Sequence, residues 1–151
     1  MTTLSNERAA IGGDGFGGSG LLSPDRYLEM VRAIGTAHDP HVRQALVSLF
    51  VELRVARQTG LRAAANRRAG RTGPEGSFGK LALTRNYRRI SELVTQLLGP
   101  AVVADTGAWG TFAWSKYVTG VPGMRIGGGT DEMLLNAIAE RQLGMPKEPR
   151  S

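Results

Sequence analysis

The sequence predicts an all-α fold, an up-down four-helix bundle, and three observations predict it. Apolar residues recur at spacings of three and four in several separate stretches. Gly and Pro cluster in the gaps between those stretches, where helices stop. No segment of useful length alternates with period two, so no sheet is expected. At 151 residues, the chain is long enough to bury a core as one domain.

Taken in order, a short apolar segment at residues 9–11 runs into a glycine-rich loop at 12–20. Ser23-Pro24-Asp25 then starts a helix. It offers a hydroxyl cap, a proline in the first turn and an acid beside the positive helix end. That helix is expected over 24–34, and 35–40 breaks it. The clearest helix is expected over 41–69, with Val42, Leu46, Leu49, Phe50, Leu53, Ala56, Gly60 and Ala64 on one stripe. Arg43, Arg54, Arg57, Arg62 and Arg68 fall largely on the rest of its wheel.

A third helix is expected from Glu75 or Ser77 to Leu98, burying Phe78, Leu81, Tyr87, Ile90, Leu93, Val94 and Leu97. Gly99 is its C-terminal cap, and Pro100 prevents continuation. A short aromatic helix is expected over 109–118, then a loop over 120–129. Thr130 caps the last helix, with Asp131 and Glu132 in its first turn, running to Leu143. Short loops favour antiparallel neighbours.

Composition excludes several classes of function. With no cysteine, disulfides, thiolate metal sites and cysteine nucleophiles are ruled out. The only histidines, His38 and His41, lie in a polar stretch, so no metal site is expected. No apolar run approaches the roughly 18 residues of a membrane helix. The first ten residues lack the basic and apolar regions of a signal peptide. The expected address is therefore the cytoplasm, without membrane attachment. The net charge of +6 is uneven, because ten Arg and one Lys face only two Glu over 43–89. A solvated helix face accounts for that block better than nucleic acid does, since no groove-reading motif accompanies it.

Three segments carry a family resemblance. Gly128-Gly129-Thr130, Asp131-Glu132, Asn136-Ala137-Ile138-Ala139-Glu140-Arg141 and Leu143-Gly144-Met145-Pro146 form one C-terminal signature. Gly73-Pro74-Glu75-Gly76-Ser77-Phe78-Gly79-Lys80-Leu81 is a second segment, and Asn6-Glu7-Arg8 a third. In their order along the chain they resemble the C-terminal domain of acyl-CoA dehydrogenases. The resemblance implies a division into residues 1–23, a truncated first helix with the glycine-rich loop, and 24–151, the bundle domain. It covers only the family's last domain. The expectation is therefore a gene fragment, a split subunit or a truncated reading frame.

The resemblance also implies a chemistry: FAD-dependent α,β-dehydrogenation of an acyl-CoA thioester. A carboxylate removes the α-proton while the β-hydrogen leaves as hydride to the flavin. One family position for that base is occupied here by Gly128, which cannot serve; the other is Glu7. A solvent-facing ion-pair role for Glu7 is the competing reading. Arg8 is either an acyl-CoA contact or a structural ion-pair partner. Gln96 and Gly99 match a segment that meets the adenine side of a partner subunit's FAD, although Pro100 replaces a glycine there. Thr130 and Glu132 match a helix start that offers free N–H groups to an anionic cofactor, and an ordinary N-cap is the competing reading for Thr130. An R-x-x-F-G loop is absent, and Pro40 stands where a flavin-contacting Gln aligns.

The partners implied are an acyl-CoA substrate, electron-transferring flavoprotein and further subunits in a homo- or hetero-oligomer. FAD is expected in the complete enzyme and not on this chain alone. Two alternatives stand beside this reading: a non-catalytic helical partner subunit of a heteromeric dehydrogenase, and an Arg-rich helical nucleic-acid binder.

Overall fold

A computed structural model describes residues 23–71, 73–108 and 110–147. Among them the chain is all-helical, with no strand. The helices are α1 (Pro24–Ala33), α2 (Pro40–Arg68), α3 (Glu75–Leu98), α4 (Ser115–Ile126) and α5 (Asp131–Gln142). A 3₁₀ turn, Gly99–Val102, follows α3. None of these helices is long and apolar enough to cross a membrane.

Local chemistry explains most boundaries. Asp39 Oδ1 accepts from the backbone N–H of His41 at 2.7 Å and Val42 at 3.3 Å, capping α2 with Pro40 in its first turn. Gly99 ends α3 at φ +52°, and the chain tightens into the 3₁₀ turn beyond it. Thr130 caps α5 as expected, accepting from the Met133 N–H at 3.3 Å. Ser23 occupies the N-cap position of α1, but its hydroxyl makes no capping bond; Pro24 and Asp25 supply the start signal.

α3 is the hub, packed by α2, α4, α5 and the 3₁₀ turn. The main core gathers Tyr27, Met30 and Val31 of α1, Leu46, Leu49 and Leu53 of α2, Ile90 and Val94 of α3, and Trp114. Tyr27 stacks obliquely on Trp114, and Tyr117 meets both Trp114 and Tyr87 edge-on. The Tyr117 hydroxyl donates to the Tyr87 carbonyl at 3.0 Å, pinning α4 to α3. Burial pushes the phenols of Tyr27, Tyr87 and Tyr117 upward.

Two expectations need correction. The aromatic helix does not occupy 109–118: α4 starts at Ser115 and runs through the expected loop to Ile126. Gly107, Gly110 and Phe112 all take positive φ, which coils 107–108 and 110–114 into bends and turns instead, with Trp109 outside the described residues. The Phe112 N–H donates to the Ala101 carbonyl at 2.9 Å and ties that coil back to the 3₁₀ turn. Pro122 sits inside α4 with Gly120 and Gly123 beside it. Burial of Val121 and the anchored Tyr117 outweigh the poor helix propensity of those residues.

The buried stripes shift as well. Phe78 is exposed, Leu97 is half-buried, and Ala63 rather than Gly60 is buried in α2. Polar residues fill the vacated places: Lys80 and Thr84 are buried on α3.

Candidate functional site

The head of α5 is where polar side chains converge. Three glycines, 127–129, link the end of α4 to Thr130, with φ of +69° at Gly128 and +101° at Gly129. Such values are open to glycine and costly for other residues. The turn is held from α3 and across its own ends. Lys80, 0% exposed, donates from Nζ to the Arg125 carbonyl at 3.4 Å and to the Gly129 carbonyl. One helical turn later, Thr84 Oγ1 donates to Asp131 Oδ1 at 2.9 Å. Arg125 donates to Asp131 Oδ2 from Nε at 3.1 Å and from Nη2 at 2.9 Å. A small apolar cluster of Leu81, Leu134 and Ile138 closes the underside.

The electrostatics at this end are specific. Asp131 is compensated by Arg125. Glu132 is exposed, and its carboxyl is held below the usual range by its own backbone N–H first and by the Thr130 hydroxyl second. The Met133 N–H is already taken by Thr130. The head of α5 therefore presents a hydroxyl and an ionised carboxylate, a set that accepts hydrogen bonds from hydroxyl or N–H groups. A flavin cofactor fits this set through its hydroxyl-bearing or ring portions. The charge of Glu132 opposes a phosphate there.

The other candidates lie elsewhere. Gln96 is exposed in the last turn of α3, and Gly99 is the exposed C-cap of that helix. A Cβ at Gly99 would meet nothing within 4 Å. Thr84 touches Asp131, and Gln96 lies twelve residues further along α3, about 18 Å of helical rise. The structure thus places Gln96 and Gly99 far from Thr130 and Glu132. Glu7 and Arg8 lie outside the described residues. Pro40 forms the first turn of α2. Among the described residues no group of His, Cys, Asp and Glu is arranged to hold a metal ion.

Sequence reasoning missed Lys80, Thr84 and Arg125. A signal for the first two was present: Lys80, Thr84 and Tyr87 follow at spacings of four and three, on the same face as Leu81. Polar residues inside an apolar stripe mark buried partners.

A helical domain built on one central helix, with a glycine turn clasped at the head of its last helix, defines the class of protein. The sequence model of the family described as "Acyl-CoA dehydrogenase, C-terminal domain" matches residues 1–143. The chain belongs to that family. It is 27% identical over 124 residues to "Acyl-CoA dehydrogenase IpdE1" of Mycobacterium tuberculosis, covering 82% of this chain and 31% of that protein. It is 27% identical over 122 residues to the protein of the same name from Mycolicibacterium smegmatis, covering 80% and 30%. The chain thus spans about a third of the length of the curated relatives it matches. Among solved structures it is similar to "Tcur3481-Tcur3483 steroid ACAD", with a TM-score of 0.82 at 22% identity, covering 98% of this chain and 39% of that one. That likeness shows the fold.

Proposed function

We propose that this chain is the C-terminal helical domain of an FAD-dependent acyl-CoA dehydrogenase, acting in α,β-dehydrogenation of an acyl-CoA thioester. The observation that carries this reading is the family match over residues 1–143, which takes in Glu7 and the glycine turn together. The proposed domain division is 1–23 and 24–151.

Glu7 is the proposed base. Its carboxylate accepts the substrate α-proton, which the thioester carbonyl acidifies when donors stabilise the charge on its oxygen. FAD, when bound, supplies the acceptor for the β-hydride. Thr130 and Glu132 hold a polar portion of the cofactor at the head of α5. Gln96 and Gly99 meet the adenine side of a neighbouring subunit's cofactor, and their distance from Thr130 supports two separate contacts. Arg8 contacts the acyl-CoA. Electron-transferring flavoprotein takes the electrons onward, and the proposed setting is the cytoplasm.

Activity is proposed to need the further domains that the relatives carry beyond the matched third of their length, and an oligomeric assembly. Val47, Val51 and Val55 support the latter: they are 55%, 56% and 59% exposed on one stripe of α2, facing away from the core. A non-catalytic partner subunit of a heteromeric dehydrogenase is the second reading, and it differs only in whether Glu7 does chemistry.

One experiment separates the two. The chain is co-produced with a complementing dehydrogenase subunit, and flavin content and acyl-CoA-dependent dye reduction are measured. Glu7→Gln is expected to retain flavin and lower turnover by about 10²–10⁴-fold, the usual worth of a general base. Undiminished turnover assigns the base to another residue. A yellow, active monomer formed by this chain alone would overturn the need for further domains.

A further inference from the structure

We propose that Lys80 is a positioning residue: with the Thr84–Asp131–Arg125 clasp, it sets the conformation of the glycine turn and so the placement of Thr130 and Glu132. The part of this inference that concerns flavin rests on the proposed function. The part that concerns the turn does not.

A run of three glycines at 127–129 has no side chain of its own with which to select one conformation. Gly is also the residue with the most backbone freedom to lose. The Gly129 N–H closes the turn locally on the Ile126 carbonyl at 3.2 Å, and the rest of its order comes from outside. Lys80 reaches from α3 to residues 45 and 49 positions further along the chain. These two carbonyls bracket the turn. The Arg125 carbonyl belongs to the last turn of α4, where helix carbonyls lack intrahelical partners and carry partial negative charge. The Gly129 carbonyl immediately precedes the N-cap of α5. One donor group thus fixes the exit of one helix and the entry of the next.

Thr84 lies one turn along the same face of α3 and holds the first residue of α5 through Asp131. Arg125 closes the loop by gripping that same carboxylate from the α4 side. A single turn of α3, residues 80–84, therefore sets where the α5 head stands relative to the bundle. Packing alone does not need this chemistry. A methionine fills the volume of the lysine stem and offers no donor, so it separates positioning from filling.

Lys80→Met and Thr84→Val are made singly and followed by residue-resolved amide hydrogen exchange and thermal unfolding. In Lys80→Met, exchange over 127–134 is expected to quicken about tenfold or more, while Leu49, Leu53, Ile90 and Val94 keep their protection. Thr84→Val is expected to give a smaller change at the same residues. Unchanged exchange over 127–134, or an equal rise throughout the bundle, would overturn the proposal. If Lys80→Met does not fold, Thr84→Val and Arg125→Gln decide the matter: both must loosen 127–134 selectively, and failure of either to do so overturns it.

FAD titration of the assembly with a complementing subunit then tests the link to flavin. A wild-type assembly that takes up no FAD refutes the proposed function and leaves the exchange result standing. A Lys80→Met assembly with a loosened turn is expected to bind FAD about tenfold more weakly; unchanged affinity would sever the turn from the cofactor.

Discussion

Around Ile90 and Val94, α3 is packed by apolar volume from α1, α2 and Trp114, whereas around Lys80 and Thr84 it is tied to the α4–α5 turn by directed hydrogen bonds. The apolar end supplies stability that falls off smoothly with lost volume and depends little on salt or pH. The polar end supplies less of it and more geometry, because a hydrogen bond fixes a distance and a direction. The same helix thus anchors the fold at one end and shapes a turn at the other.

The largest expected effect lies at the apolar end. Ile90→Ala removes a side chain that is fully buried. It is expected to cost about 2–5 kcal/mol across the whole domain, seen as a lower urea midpoint at unchanged slope. A loss confined to one segment would break the comparison.

Asp131→Asn comes next. It removes the charge that Arg125 grips and, with Oδ1 kept toward Arg125, turns an amide N–H₂ toward the Thr84 hydroxyl, which then donates to the Leu81 carbonyl alone. Roughly 1–2 kcal/mol is expected, discounted because the Arg125 side chain is 40% exposed and so partly screened. Raising salt is expected to narrow the gap between wild type and variant in thermal unfolding. A gap that does not respond to salt would mean the clasp works by shape alone.

Paired glycine substitutions do not exceed that size and are opposite in sign to each other. Gly128→Ala meets φ +69° and is expected to destabilise by about 1–2 kcal/mol. Gly60→Ala sits in the interior of α2, where a Cβ meets nothing within 4 Å, and is expected to stabilise by about 0.5–1 kcal/mol. Differential scanning calorimetry resolves both. The strain at Gly128 also bears on Gly128→Glu, a swap toward the other family position for the base: it strains the turn before any chemistry is gained.

The smallest effect is on pH. Glu132 has its folded-state carboxyl lowered, so its contribution is fully present above the ordinary carboxylate range and is lost as pH falls through the lowered value. Acidification is therefore expected to loosen the α5 head before the apolar end. Carboxyl NMR titration checks this, and Thr130→Val is expected to raise the Glu132 titration only in part, because its own backbone N–H contributes more. A full return to the ordinary range would reverse that order of causes.

Legibility in the sequence followed the same division. The helices around Leu46, Leu49, Ile90 and Leu93 were readable because apolar spacing is a local property, and Thr130 with Asp131 marked the start of the last helix, whereas Asp39 and Pro40, read as part of a break, cap and open α2. The segment 110–126 was misread because its outcome depends on distant contacts. Trp114 and Val121 find burial, and Tyr117 finds the Tyr87 carbonyl, only after α3 is in place. Of the site, Thr130 and Glu132 were legible as a helix start within a recognisable motif. The grip of Lys80 on carbonyls 45 and 49 residues away was not, because backbone acceptors carry no sequence signature.

The sequence by itself determined the all-α class, the extents of α1, α2, α3 and α5, and the family. Each is written in nearest-neighbour spacing or in contiguous motifs, and needs no knowledge of where the chain returns. Only the tertiary structure decided that α4 runs through Pro122, that Lys80 and Thr84 are buried, and that the glycine turn is held in one shape. Those outcomes depend on which side chains and carbonyls meet across long stretches of chain. Burial there turns a poor local preference or a costly polar group into the arrangement of lowest free energy, because the buried Lys80 and Thr84 donors have found their acceptors.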